Sequence, residues 1–166
     1  MPSGFPDYEY FEIPLPVAQG GTGLTQWPGA RVYNSANLGL SDNTQVILSF
    51  DSERYDTGEL HSTSTNPSRL TAQQAGKYLI TGHADFQANA AGLRQLQIVL
   101  NQVTSLAASS LPAVAAATTR VSVSTIYHLN AGDFVQLWAY QSSGGLLYVL
   151  ATPNLSPEFA IQWVGP

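Results

Sequence analysis

Four acidic residues, Asp51, Glu53, Asp56 and Glu59, stand close together in the chain and are followed by His61. Grouped carboxylates are oxygen donors for a hard cation, and calcium takes about six to eight oxygens. The calcium loop of helix–loop–helix proteins spaces its ligands differently and has a glycine at its sixth position; this run does not fit that pattern. The competing reading is a solvated loop at one end of a folded domain. Three histidines, His61, His83 and His128, with several Asp and Ser, could supply the base and nucleophile of a hydrolase triad. No Gly-x-Ser-x-Gly turn is present. His83 and His128 each lie inside an alternating segment, where a packed or interface histidine is the commoner outcome. Paired carboxylates cleave glycosidic bonds only at set separations in space, and most acids here lie in or beside turns. No catalytic residue is assigned, and the chain is expected not to be an enzyme.

Aromatic side chains offer a different chemistry, stacking on sugar rings. Trp27, Trp138 and Trp163 are present with eight tyrosines. In strands, aromatics mostly build the core, so Trp138 and Trp163 are expected there. Tyr55, Tyr148 and Asn154, placed in loops, are the candidates for contacts outside the subunit.

The elements that must position these residues alternate with period two, the pattern of half-buried strands. Val46, Leu48 and Phe50 alternate with Ile47 and Ser49, and Tyr78, Ile80, Gly82, Ala84 and Phe86 with Leu79, Thr81, His83 and Asp85. Leu96, Ile98 and Leu100 repeat the pattern, as do Val121 to Tyr127, Phe134 to Tyr140 and Phe159 to Val164. Turn signals separate the runs: Asn66-Pro67, Ala75-Gly76, Ala91-Gly92, Ala131-Gly132-Asp133 and Ser143-Gly144-Gly145. Many short strands with such turns indicate a sandwich or jelly roll. Residues 102–119, rich in Ala, Ser and Thr, are expected to form a loop with an edge strand. Leu79, Ile126, Val135 and Leu137 lie opposite the other apolar set, a surplus that implies a second buried surface, as between subunits.

Composition narrows the partners. Hydrophobic residues make up 44% and charged residues only 10%, against roughly 25% in ordinary domains. The surface falls to Asn, Gln, Ser, Thr and Gly, which suits packing against identical copies or a sugar-like ligand. Net charge is −5, with one lysine, Lys77, and scattered arginines, so nucleic acid is not an expected partner. Cysteine is absent, which removes disulfides and thiolate metal sites. No apolar run approaches a membrane span of about 18–20 residues, and residues 1–19 lack the basic start and apolar run of a secretory signal. A chain made and kept in a host cytoplasm, without membrane insertion, fits these features.

Residues 1–29 differ from the rest. They hold Pro2, Pro6, Pro14, Pro16 and Pro28, half of the chain's ten prolines, and the run Gly20, Gly21, Thr22, Gly23. Prolines this dense exclude a helix and interrupt a sheet ladder. An extended attachment arm over 1–29 is expected, docking through Tyr8, Tyr10 and Phe11, ahead of a head domain over 30–166.

Three segments of the head resemble the tumour-necrosis-factor/complement globular-head jelly roll in its bacterial and phage form. "SRLTAQQAGKYLITGHADF", from Ser68 to Phe86, resembles the strand pair around that family's Gly-x-Tyr element, here Gly76 and Tyr78. Within Val121 to Gly145, the stretch from Leu129 through Ala131-Gly132-Asp133-Phe134-Val135 to Leu137 is similar to its Gly-Asp-aromatic-Val-x-Leu hairpin. "SPEFAIQWVG", from Ser156 to Gly165, is like its last strand. The resemblance implies an all-β jelly-roll β-sandwich of about ten strands assembling as a homotrimer. Some members bind calcium, and Asp51, Glu53 and Asp56 are the residues here that could hold it; no other cofactor is implied. Gly132 can take a positive φ at the hairpin turn, and Asp133 can cap backbone N–H groups there.

"LPVAQGGTGLT", from Leu15 to Thr25, resembles a Leu-Pro-Val-Ala-x-Gly-Gly-Thr-Gly-Ala-Thr element of phage tail-fibre proteins, with Leu24 in place of the usual Ala. Arm and head together imply a bacteriophage virion structural protein on the particle surface, of fibre-tip or receptor-binding type. Its partners would be itself, other virion proteins through the arm, and a host surface glycan or receptor. Two alternatives remain open: a capsid head-decoration or head-fibre protein, and a bacterial surface carbohydrate-binding module.

Overall fold

The computed structural model describes residues 26–166, so the expected arm over 1–29 lies almost wholly outside the described residues. The first strand begins at Gly29. Twelve strands follow in chain order: β1 (Gly29–Tyr33), β2 (Leu38–Leu40), β3 (Val46–Ile47), β4 (Ser52–Asp56), β5 (Leu70–Thr71), β6 (Gly76–Phe86), β7 (Leu93–Leu100), β8 (Thr104–Pro112), β9 (Thr119–Leu129), β10 (Phe134–Gln141), β11 (Leu147–Leu150) and β12 (Glu158–Gly165). The described residues contain no helix.

The strands form two antiparallel sheets. In the seven-stranded sheet, β6 pairs along its whole length with β9 and on its other edge with β12, then β11; β1 and β4 continue beyond β12, and β2 beyond β11. The five-stranded sheet runs β3, β10, β7, β8, with β5 beside β10. Alternation decides what each strand buries, because successive side chains point to opposite faces. Tyr78, Ile80, Ala84 and Phe86 of β6 turn inward with Val121 of β9 and Phe159, Ile161 and Trp163 of β12. They meet Leu96 and Ile98 of β7 and Val135, Leu137 and Ala139 of β10. Phe50 stacks on Phe159 with ring centroids 5.8 Å apart. Gly82 marks a close approach of the sheets: an added Cβ there would meet the Leu137 side chain at 2.6 Å.

Three expectations change. Trp138 is not core. The register of β10 sends Val135, Leu137 and Ala139 inward, so Trp138 lies half-buried on the outer surface, its indole N–H directed at Gln136 Oε1 at 3.4 Å. The same register removes Val135 and Leu137 from the surplus apolar set, while Leu79 and Ile126 remain exposed. Tyr55 and Tyr148 lie in strands β4 and β11, not loops. Residues 104–112 do form an edge strand, paired with β7 alone.

The hairpin before β10 closes as its residues imply. Gly132 takes φ +90°, and Asp133 Oδ2 accepts from the backbone N–H of Asn130 at 2.8 Å. Asn101 ties the turn to the end of β7, donating to Asp133 Oδ1 at 2.8 Å and accepting from the Phe134 N–H at 3.0 Å.

Candidate functional site

Five charged residues, Arg31, Arg54, Asp85, Arg120 and Glu158, form ion pairs on the outer face of the seven-stranded sheet. With Phe159, Ile161 and Trp163 inward, β12 turns Glu158, Ala160, Gln162 and Val164 outward. Glu158 is nevertheless only 1% exposed, because two arginines close over it. Arg31, outward on the neighbouring β1, donates through Nε to Glu158 Oε2 and through Nη2 to the Asn154 carbonyl at 3.3 Å. Arg54 donates through Nε and Nη2 to Glu158 Oε1 at 3.2 and 3.0 Å. Arg54 gets there through an irregularity: the β1–β4 register shifts between Arg31 and Val32, opposite Tyr55 and Glu53, and leaves Arg54 without a ladder partner. A bulge of this kind re-aims a side chain. The guanidinium of Arg54 passes 3.8 Å above the centre of the Tyr33 ring, an additional cation–π attraction.

On β6, His83 lies in register with Glu158 on one side and Ser122 on the other. Two residues on, the buried Asp85 takes both Nε and Nη2 of Arg120 at 2.5 and 2.7 Å, a bidentate pair. Burial holds the His83 imidazole below its ordinary pKa; Arg31 and Arg120 push the same way, against Glu158 and Asp85. Two shallow depressions flank this cluster. One, of about 280 Å³, is lined by Arg31, Thr81, His83, Glu158 and Ala160. The other, of similar volume, lies between Tyr33, Asn34, Ser35, Arg54 and Pro153.

Further along the same strands the outward face carries an apolar patch, followed at the strand ends by Lys77 opposite His128. In the patch, Leu79, Ile126 and Val164 are exposed by 39%, 63% and 40%. The edge strand β8 of the other sheet, which packs against β9, carries no charged residue.

The residues expected from the sequence fall in different places. The acidic run does not converge. Asp56 accepts three backbone N–H bonds, from Gly58, Leu60 and His61; Glu53 pairs with His61 Nδ1 at 2.8 Å; Asp51 holds Ser35 through its backbone N–H and its hydroxyl. Asp51, Glu53 and Asp56 thus each have their own protein donors, and no group of three His, Asp or Glu among the described residues is placed to hold a metal ion. His61 is a buried clamp between Glu53 and the Pro67 carbonyl. His128 lies exposed on β9, opposite Lys77. Tyr55 is opposite Arg31 in the β1–β4 ladder, and Asn154 meets Arg31 through its carbonyl, so two of the three contact candidates border the arginine cluster. Tyr148 stands apart on β11. The attachment residues Tyr8, Tyr10, Phe11, Gly20, Gly21, Thr22 and Gly23 lie outside the described residues.

The arginine–glutamate cluster itself did not stand out in the sequence. Alternation places Arg31 between Ala30 and Val32, and Glu158 before Phe159, which marks both as outward. Nothing in the spacing of residues 31, 54 and 158 brings them together; the β4–β1–β12 register does. Arg94 was also missed. It is 0% exposed at the end of the sandwich, its guanidinium donating to the carbonyls of Asn89, Ala91 and Leu93.

No family profile matches the chain. It is similar to the uncharacterised protein L688 of Acanthamoeba polyphaga mimivirus, 32% identical over 93 residues, which is 53% of this chain. The match spans only 39% of that protein's length. Among solved structures, murine APRIL at pH 5.0 superposes over 84% of this chain and all of its own, with a TM-score of 0.63 and 12% identity. The globular domain of zebrafish complement 1qA protein covers 82% of this chain and 97% of its own, with a TM-score of 0.56 and 15% identity. These likenesses establish the fold: an all-β jelly-roll sandwich of the kind found in tumour-necrosis-factor-family and complement heads.

Proposed function

We propose that this chain is the head of a homotrimeric surface protein of a virus particle, one that works by binding and display and not by turnover. The observation that carries the reading is the exposed apolar pair on the outer face, Leu79 with Ile126, together with the uncharged edge β8 that packs against β9. An uncharged edge strand and an apolar patch are liabilities for a lone sandwich, and covering both with identical copies removes them. The jelly-roll likeness supports association about a closed symmetry axis. The similarity to a mimivirus protein and the tail-fibre-like Gly20, Gly21, Thr22, Gly23 element support a virion surface location, with the N-terminal segment as attachment. Assembly would then take place in the host cytoplasm.

Solution mass tests the assembly directly. A stable trimer at micromolar concentration is expected, and a monomer there would remove the reading. Cryo-EM of particles carrying the protein tests the location. Density at fibre tips fits receptor-binding display, whereas density confined to capsid faces replaces display by decoration.

A further inference from the structure

The two halves of the outer face differ in what they offer solvent. In the charged half, Glu158 and Asp85 lie beneath Arg31, Arg54 and Arg120, whose side chains are 39%, 29% and 51% exposed. Among the described residues, every side-chain hydrogen bond of both carboxylates runs to one of these guanidiniums. The surface there is therefore guanidinium, with one positive charge in excess, although the chain as a whole carries −5. Three of its six Lys and Arg residues are gathered at this one place. Arg31 and Arg54 share one carboxylate, so a dry protein surface over them would bury one guanidinium charge that has no anion of its own, and this half is suited to remain open beside the apolar seam.

Unused hydrogen-bonding groups line the opening. Among the described residues, Nη1 of Arg31, the Thr81 hydroxyl and the His83 ring make no hydrogen bond, and all three residues border the 280 Å³ depression over Ala160. We propose that this depression binds a carboxylate-bearing sugar of the uronic or sialic acid class, its carboxylate on Arg31 and its ring hydroxyls on Thr81 and His83. The free Nη1 of Arg31 can give a carboxylate a charge-assisted hydrogen bond, the single excess charge matches a monoanion, and the paired donor and acceptor capacity of Thr81 and His83 matches hydroxyls. The volume lies near the lower bound of ligand pockets, roughly 300–1,000 Å³, which suits one sugar ring and not a polymer segment. The inference rests on the display reading and names its ligand class.

Titrating the assembled protein with sodium glucuronate and with N-acetylneuraminate, followed by calorimetry and by the His83 imidazole resonances, tests it. At least one of the two acids should bind and shift those resonances, and glucose and sodium sulfate should not. Thr81→Val and His83→Ala, neither in an ion pair, should each weaken binding about tenfold. Binding by neither acid, equal binding of sulfate, or affinity unchanged in the double variant would each overturn the proposal. Mass measured on the same samples separates the two readings: a trimer that binds neither acid sinks the ligand alone, and a monomer that binds one sinks the assembly alone.

Discussion

Leu79 of β6 and Ile126 of β9 stand directly opposite each other in the antiparallel ladder, both pointing away from the sandwich. Cross-strand apolar pairs of this kind stabilise a sheet when covered and expose contiguous apolar area when not. Replacing both by lysine puts like charges opposite one another at the seam. The double variant Leu79→Lys, Ile126→Lys should sediment as a monomer with the far-ultraviolet spectrum of the parent. A variant that stays trimeric would place the interface elsewhere.

Glu158 is the hub of the charged half, and its two arginines are not equivalent in what their loss leaves behind. Glu158→Gln leaves two guanidiniums facing a buried amide and should destabilise the fold by about 2–4 kcal/mol. Arg31→Gln leaves Arg54 still bound to the carboxylate through two nitrogens, so it should cost about 1 kcal/mol. Denaturant midpoints of the two variants give the ranking; equal midpoints would contradict a hub at Glu158.

The turn before β10 predicts an acid-sensitive contribution. Hydrogen bonding from the Asn101 side chain, then from the Asn130 backbone, holds the Asp133 carboxyl below its ordinary pKa. Its stabilising contribution is full above the unfolded value of about 3.9 and is lost as pH falls through the lower folded value. Asn101→Ala should flatten stability against pH in that acid range. Parallel curves for the parent and the variant would count against this.

His83 predicts a window of opposite origin at milder pH. Burial lowers its folded pKa, so below about pH 6.5 the unfolded chain takes up a proton that the folded chain resists. Stability should fall as pH drops from about 6.5, until folded His83 is protonated too. His83→Gln removes a titrating group and should remove this segment of the slope, which chemical denaturation at a series of pH values measures.

Gly92 joins β6 to β7 with φ +74°, and a Cβ there would sit 1.8 Å from the Ser142 carbonyl oxygen. Gly92→Ala should destabilise by about 1–3 kcal/mol, since neither backbone can move without breaking the Leu93 N–H bond to Ser142 Oγ. Gly145, with open space around its Cβ position, is the control: Gly145→Ala should change the melting temperature by no more than a degree or two.

The sequence by itself determined the class of fold and most of its core. Period two put Tyr78, Ile80 and Phe86 on one shared face, as it did Leu96 with Ile98 and Phe159 with Trp163, because the pleat leaves a strand residue only two directions. These faces are the ones that turn inward. It also named Gly132 and Asp133 as a turn, since that chemistry is local. It could not say which of β10's two apolar-rich faces turns inward, and Trp138 went to the wrong one. That choice depends on what the opposite sheet offers, and here Gly82, lacking a Cβ, leaves room for the Leu137 side chain. The arginine–glutamate cluster was further out of reach. Arg31 and Glu158 are separated by 127 positions, and no local pattern pairs them. Their meeting, with Arg54 swung in by a bulge, follows from the β4–β1–β12 register. Hydrogen bonding between distant strands sets that register, and so only the tertiary structure decided where this face carries its charge.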